Sequence, residues 1–210
     1  MTEAGKSGEI VRYSYATRVN HWIVAICFIL LALSGLALFH PALFWLTQLF
    51  GGGPWTRILH PFVGIVWAIA FVLLAAKVWR DNFLNSTDRQ WLGHIREVLD
   101  NRDDGLPVGK YNAGQKLLFW LIVLCLLGLV ATGLCMWRAY FALPVDIVRI
   151  ASMLHAAFAT VLICAIVVHI YAAIWVKGSV RAMTRGTVSD GWAWKHHRLW
   201  FRDVTRGQQK

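Results

Sequence analysis

Acidic residues are scarce in this chain: 11 Asp and Glu stand against 21 Lys and Arg in 210 residues. Four long apolar runs, about residues 19–39, 57–79, 117–137 and 150–176, contain no Asp or Glu at all. Pumps and ion-coupled transporters usually carry carboxylates inside the membrane, so a proton relay of that kind is disfavoured. Cysteine is also sparse. Cys27, Cys125, Cys135 and Cys164 all fall within apolar runs, where a thiol behaves as a small hydrophobe and no pairing can be inferred. No C-x-x-C-H occurs, so covalent c-type haem attachment is not supported. A signal peptide is not expected, because the first ten residues are polar and the apolar run after them is too long for an h-region.

What is present is apolar and aromatic. Hydrophobic residues make up 58% of the chain, with 12 Trp, too much for an ordinary soluble domain. Each of the four runs is long enough to cross a bilayer, which takes about 20 residues. The expected fold is all-α: a single integral membrane domain, residues 1–210, built as a four-helix bundle. His40-Pro41 should end the first helix, because proline disfavours helix in the residue before it. A connector with Trp45, Trp55 and a Gly51-Gly52-Gly53-Pro54 turn follows. His60-Pro61 should stand in the first turn of the second helix, where proline is tolerated.

The net charge of +10 could by itself suggest nucleic acid, but the cations lie just outside the apolar runs. Of the 21 Lys and Arg, 18 fall in the N-terminal tail (Lys6, Arg12, Arg18), in residues 77–116 or in the tail 177–210. Only Arg57, Arg138 and Arg149 fall in the other two connectors. The positive-inside rule therefore puts both termini in the cytoplasm of a multi-pass membrane protein. Within 86–99, Trp91, Leu92, Ile95, Val98 and Leu99 recur at helical period, which predicts a short interfacial helix capped by Ser86, Thr87 or Asp88, with His94 on its polar side. Lys110, Asn112, Gln115 and Lys116 gather where the third span begins, as anchors and caps or as binders of a polar headgroup. The tail 177–210, with Trp192, Trp194, Trp200 and Phe201, should lie on the membrane surface, with His196 and His197 solvated or near headgroups.

Histidines inside spans are rare and are functional candidates by default. The fourth span carries two, His155 and His169, 14 residues apart. On a helix they share one face roughly 21 Å apart. His21 opens the first span and His60 the second. With cytoplasmic termini, His21 and His169 fall near the cytoplasmic side, His60 and His155 near the outer side. Two pairs result, each sharing the fourth helix. Zinc prefers four protein ligands, whereas each pair offers two. A b-type haem ligated from both faces by neutral imidazoles fits, shielded by the apolar bundle. Gly35, 14 residues from His21, and Gly64, one turn after His60, would leave room for a flat macrocycle, or they pack helices as small residues commonly do.

Several segments together carry a resemblance. They are His21-Trp22 with Leu33-Ser34-Gly35, Arg57 to Phe62 (RILHPF), Gly109 to Lys116 (GKYNAGQK), Thr132-Gly133, Leu154-His155-Ala156, and His169 with Trp175 to Ser179 (WVKGS). Over nearly its whole length the chain resembles the cytochrome b556 (gamma) subunits of membrane-bound respiratory formate dehydrogenases. These belong to a wider di-haem group that includes the cytochromes b of nickel–iron hydrogenases. The resemblance implies two haems b, one held by His21 and His169 and one by His60 and His155. It implies a site for menaquinone or ubiquinone at Asn112, Gly114 and Gln115, near His169. It also implies an iron–sulfur beta subunit as donor on the outer side, a molybdenum or tungsten alpha subunit oxidising formate, proton uptake from the cytoplasm, and the bacterial inner membrane; a higher oligomer of that complex is compatible with it. Nucleic acid has no place in it. Arg57 and Arg149 could then pair with outer haem propionates, and Arg18 or Lys177 with inner ones. Two other readings stay open: the cytochrome b of a hydrogenase or thiosulfate reductase, and a haem-free anchor or transporter.

Overall fold

The structure is a computed structural model describing residues 8–100 and 105–208. Lys6 and the Leu99 side chain, both used above, lie outside the described residues. After the short strand β1 (Glu9–Val11) comes helix α1 (Tyr15–Phe39), then α2 (Gly53–Val78), α3 (Ser86–Gly93), α4 (Ile95–Leu99), α5 (Ala113–Met136) and α6 (Val145–Trp175). The tail forms α7 (Ser179–Thr184), β2 (Thr187–Ser189), α8 (Asp190–His196) and α9 (Arg198–Gln208). Helices α1, α2, α5 and α6 are long and apolar enough to span a membrane. Each begins four or five residues before its apolar run, because polar flanks extend it. At α5 the reason is explicit: the Asn112 amide donates to Gln115 Oε1 (3.0 Å) and the Gln115 amide to Asn112 Oδ1 (2.9 Å). This reciprocal cap fixes the helix start.

The chain divides into two compact units. The first, the membrane unit, comprises Val19–Ala76 and Leu121–Ile170. Its large apolar side chains point outward: Ile26 is 56% exposed, Leu127 64% and Val168 65%. Such surface suits lipid, where every backbone group must be satisfied within its own helix. Its interior mixes small residues, such as Ala37, Ala70, Ala75 and Ala151, with the large side chains of Trp67, Phe71 and Leu162. Helix α6 packs its Phe158 ring on Gly128 of α5, where an added Cβ would lie 2.5 Å from the ring. In a lipid-facing bundle, close approach through small residues replaces the hydrophobic effect as the cohesive force.

One expectation for this unit changes. Because α2 starts at Gly53, Pro61 lies in the helix interior and not in its first turn. Proline has no N–H, so the Arg57 carbonyl loses its donor one turn on. The connector after α1 is a 3-10 helix over Pro41–Phe50. His40, exposed, caps it, its Nδ1 accepting from the Ala42 amide at 3.2 Å. Gly51 ends it at φ +84°, a left-handed conformation that favours glycine.

The second, polar unit collects the N-terminal segment through Arg18, Lys77–Trp120, and the chain from Tyr171. These are the three segments that carry 18 of the 21 cations. Strands β1 and β2 pair antiparallel, Ile10 opposite Val188. Three-residue strands are too short for alternation to announce them. Ile10, Ala182, Val188 and Ala193 form the core, covered by Tyr13, Trp192, Trp200 and Phe201. The tail is therefore a folded element with its own core. Arg181 pairs with the Glu9 carboxylate, which also accepts from Thr187 Oγ1 at 2.8 Å. The Thr187 hydrogen bond, with Arg181, lowers the Glu9 pKa.

The segment 86–99 is not one helix. It breaks at His94 (φ −106°, ψ 22°), directly after Gly93. The apolar residues consequently do not share one face. Trp91 is buried with Val108 and Ala113, whereas Leu92 is 41% and Ile95 38% exposed. The cap is Asn85, which closes a capping box with Asp88, and not Ser86, Thr87 or Asp88 acting as N-cap. His94 is exposed, as its place on the polar side requires.

Candidate functional site

The membrane unit brings His60 of α2 and His155 of α6 together edge to face, their ring centroids 6.3 Å apart and their planes at 64°. Each imidazole is held from behind by a hydroxyl. Ser34 Oγ on α1 is 2.7 Å from His60 Nδ1. Thr132 Oγ1 on α5 is 2.9 Å from His155 Nδ1. Both hydroxyls are buried, Ser34 at 3% and Thr132 at 8% exposure. Each also lies close to the carbonyl one turn earlier, Ser34 2.7 Å from Leu30 O and Thr132 2.6 Å from Gly128 O. A hydroxyl has one proton and two lone pairs. Donated to the carbonyl, that proton leaves the oxygen an acceptor toward the ring. The hydrogen-bond network thus assigns the proton to Nδ1 of each histidine, with Nε2 unprotonated.

The residues after the hydroxyls complete the arrangement. A Cβ on Gly35 would lie 3.4 Å from His60 Cε1, and one on Gly133 would lie 3.5 Å from His155 Cε1. Two hydroxyl–glycine dipeptides, Ser34-Gly35 and Thr132-Gly133, thus cradle the two rings. Gly35 makes room for the imidazole of His60 itself. A Cβ on Gly64 would meet only Leu31, at 3.9 Å.

This spacing fits one metal shared by two imidazoles. With a metal–imidazole bond of about 2 Å and a ring radius of about 1.1 Å, two rings on one metal have centroids roughly 6 Å apart. The observed separation matches, and both Nε2 atoms are free of the hydrogen bonds that occupy Nδ1. Among the described residues, no three His, Cys, Asp or Glu side chains converge on one point, so a protein-only cage is not built. Two ligands from the protein and four from a macrocycle are what this donor set suits.

His21 of α1 and His169 of α6 lie within electrostatic reach of each other. Their surroundings differ. His21 Nδ1 is buried with no hydrogen-bond partner among the described residues, as is the indole N–H of Trp67 on α2. Unpaired buried nitrogens are costly and call for an explanation, such as a bound group.

The remaining candidates separate. Arg57 and Lys177 are exposed. Arg149 is exposed and 3.7 Å from Asp146. Arg18 donates to the Thr184 carbonyl at 2.6 Å, with its Nε unpaired. Asn112, Gly114 and Gln115 belong to the polar unit, and the backbone of Gly114 leaves 3.2 Å between an added Cβ and the Trp91 ring. Lys116 is not a surface anchor. It is 4% exposed and donates to Asp88 (2.8 Å) and the Phe83 carbonyl (3.1 Å).

His197 is buried at 2% exposure, contrary to the expectation of a solvated tail histidine. Its Nδ1 donates to the Gly109 carbonyl (2.7 Å), and its Nε2 faces the guanidinium of Arg12 at 3.2 Å. Burial first, then the Arg12 charge, push its pKa down to about 3. Arg12 in turn donates to the Lys110 carbonyl at 2.6 Å and lies over the Trp192 and Trp200 rings. Leu199 N–H donates to the Val108 carbonyl at 2.9 Å. The tail therefore clamps the GKYN segment through its backbone. Sequence reasoning missed this clamp, and it missed the roles of Ser34 and Thr132. The signal for those two was the hydroxyl–glycine dipeptide repeated near the ends of two spans.

Comparison with known proteins identifies the family. Residues 12–186 match the family model described as prokaryotic cytochrome b561. The cytochrome b556(fdo) subunit of formate dehydrogenase from Escherichia coli K12 is 44% identical over 203 residues, covering 96% of both chains. The nitrate-inducible cytochrome b556(Fdn) subunit from the same strain is 45% identical over 208 residues, 98% of this chain and 96% of the relative. The formate dehydrogenase cytochrome b556 subunit of Haemophilus influenzae is 40% identical over 204 residues, 96% and 86%. The chain belongs to the prokaryotic cytochrome b561 family, is a multi-pass membrane cytochrome b, and haem b is the group its family implies.

Proposed function

We propose that this member of the prokaryotic cytochrome b561 family is the membrane subunit of a formate dehydrogenase, carrying two haems b and delivering electrons to quinone. His60 and His155 hold the outer haem, and His21 and His169 the inner one. The observation that carries this assignment is the His60/His155 pair, its ring centroids 6.3 Å apart, with both Nδ1 atoms engaged and both Nε2 atoms free. Bound haem supplies a one-electron iron couple. The chain's own side chains fix ligand orientation, and apolar helices keep bulk water from the ligands.

Relatives named as formate dehydrogenase subunits support partners: an iron–sulfur subunit as donor on the outer side and a molybdenum or tungsten subunit for formate. The asymmetry of cations, with all three basic segments in one unit, supports cytoplasmic termini in a bacterial inner membrane. Asn112, Gly114 and Gln115 are the proposed contacts for menaquinone or ubiquinone, whose reduction takes protons from the cytoplasm and builds a proton-motive force. Arg57 and Arg149 are proposed to face the propionates of the outer haem, Arg18 and Lys177 those of the inner, and Gly35 and Gly64 to clear space around the macrocycles.

The test is a reduced-minus-oxidised spectrum of the complex purified with its partner subunits. Two b-type haems per chain, reduced by formate and reoxidised by added quinone, are expected. The absence of an α-band of reduced b-type haem would contradict the proposal.

A further inference from the structure

The hydroxyls behind His60 and His155 do more than fill space. Each donates its single proton to a carbonyl of its own helix and accepts from a ring N–H, so neither imidazole can turn over or change tautomer without breaking a buried hydrogen bond. A buried donor left without its acceptor is penalised enough to hold one tautomer. A hydrogen bond from the distal ring nitrogen also makes the ligating nitrogen a stronger donor to a metal. A stronger donor favours the more positive, oxidised metal.

We infer that Ser34 and Thr132 are positioning residues that hold His60 and His155 with Nδ1 protonated and Nε2 free, and that they lower the reduction potential of the haem these histidines ligate. The inference rests on His60 and His155 being the axial ligands proposed above. It separates the two sites, because His21 Nδ1 has no such partner. The device is built twice by the same dipeptide logic: the hydroxyl fixes the ring, and the following glycine gives the ring room at 3.4–3.5 Å.

The experiment uses the complete membrane complex carrying Ser34→Ala, Thr132→Val or Thr132→Ser. Haem content is measured first and an optical redox titration second. Each hydroxyl-free variant should keep both haems and raise the potential of one component only. At fixed ambient potential the reduced-to-oxidised ratio of that haem should rise roughly threefold, about 30 mV at 59 mV per tenfold change. Thr132→Ser, which keeps the hydroxyl, should titrate like the wild type. Unmoved potentials with both haems in place would overturn this inference alone, as would equal shifts in Thr132→Ser and Thr132→Val. Should Thr132→Val lose the haem, its retention at the native potential in Thr132→Ser would support the hydroxyl's role, and its loss there too would overturn it. A wild-type complex without two b-type haems would instead overturn the proposed function itself.

Discussion

The membrane unit and the polar unit solve one problem, buried polar groups, with different means. In the membrane unit the buried groups are neutral. Imidazoles meet hydroxyls that are themselves anchored to helix carbonyls, and helices close on glycine and alanine. In the polar unit the buried groups include full charges. Lys116 meets Asp88, and Arg12 lies among aromatic rings and carbonyls. The difference follows from the surroundings. A charge facing lipid has no cheap partner, whereas beside water a chain can bury a charge if it brings a counter-charge or several acceptors. Chemistry that needs neutral, fixed ligands therefore falls to the first unit, and clamping of a loop falls to the second.

The largest expected break in this comparison is Asp88→Ala. It leaves the Lys116 ammonium buried without its counter-charge, both side chains being 5% exposed, and should destabilise the polar unit by about 3–5 kcal/mol. Proteolysis within residues 85–112 should accelerate while both haems stay bound. Loss of haem at native protease resistance would mean that the two units do not divide the work as described.

A smaller effect concerns pH. His197 titrates near 3 in the folded chain and ordinarily near 6.5, so between these values the unfolded chain binds a proton that the folded chain does not. Stability of the clamp is unaffected above about pH 6.5 and falls as pH drops below it, by up to about 1.4 kcal/mol per pH unit. Protection factors of the Val108 to Lys110 amides, corrected for the intrinsic exchange rate at each pH, should be lower at pH 5 than at pH 7.5, and His197→Asn should flatten that dependence. Equal protection at both pH values in the wild type would contradict the clamp.

The same contrast explains what could be read from the sequence. Spans of pure apolar residues announce themselves, and rare histidines within them stand out, so α1, α2, α5, α6 and the four histidines were legible. The pairing followed from topology and helix arithmetic. The partners of those histidines were not legible, because Ser34 and Thr132 look like ordinary small residues until another helix brings an imidazole within 3 Å. In the polar unit almost every contact joins residues far apart in the chain: β1 with β2, Arg12 with Lys110, His197 with Gly109. No local period predicts such contacts. The break of the interfacial helix at Gly93-His94 shows the same limit, since Trp91 is buried with Val108 and Ala113, residues well outside its own segment.

The most direct test of the two-pair assignment is the redox titration of four complexes, each carrying His21→Ala, His60→Ala, His155→Ala or His169→Ala. His60→Ala and His155→Ala should each lack the same haem component, and His21→Ala and His169→Ala the other. Loss of one shared component in His21→Ala and His60→Ala would contradict it.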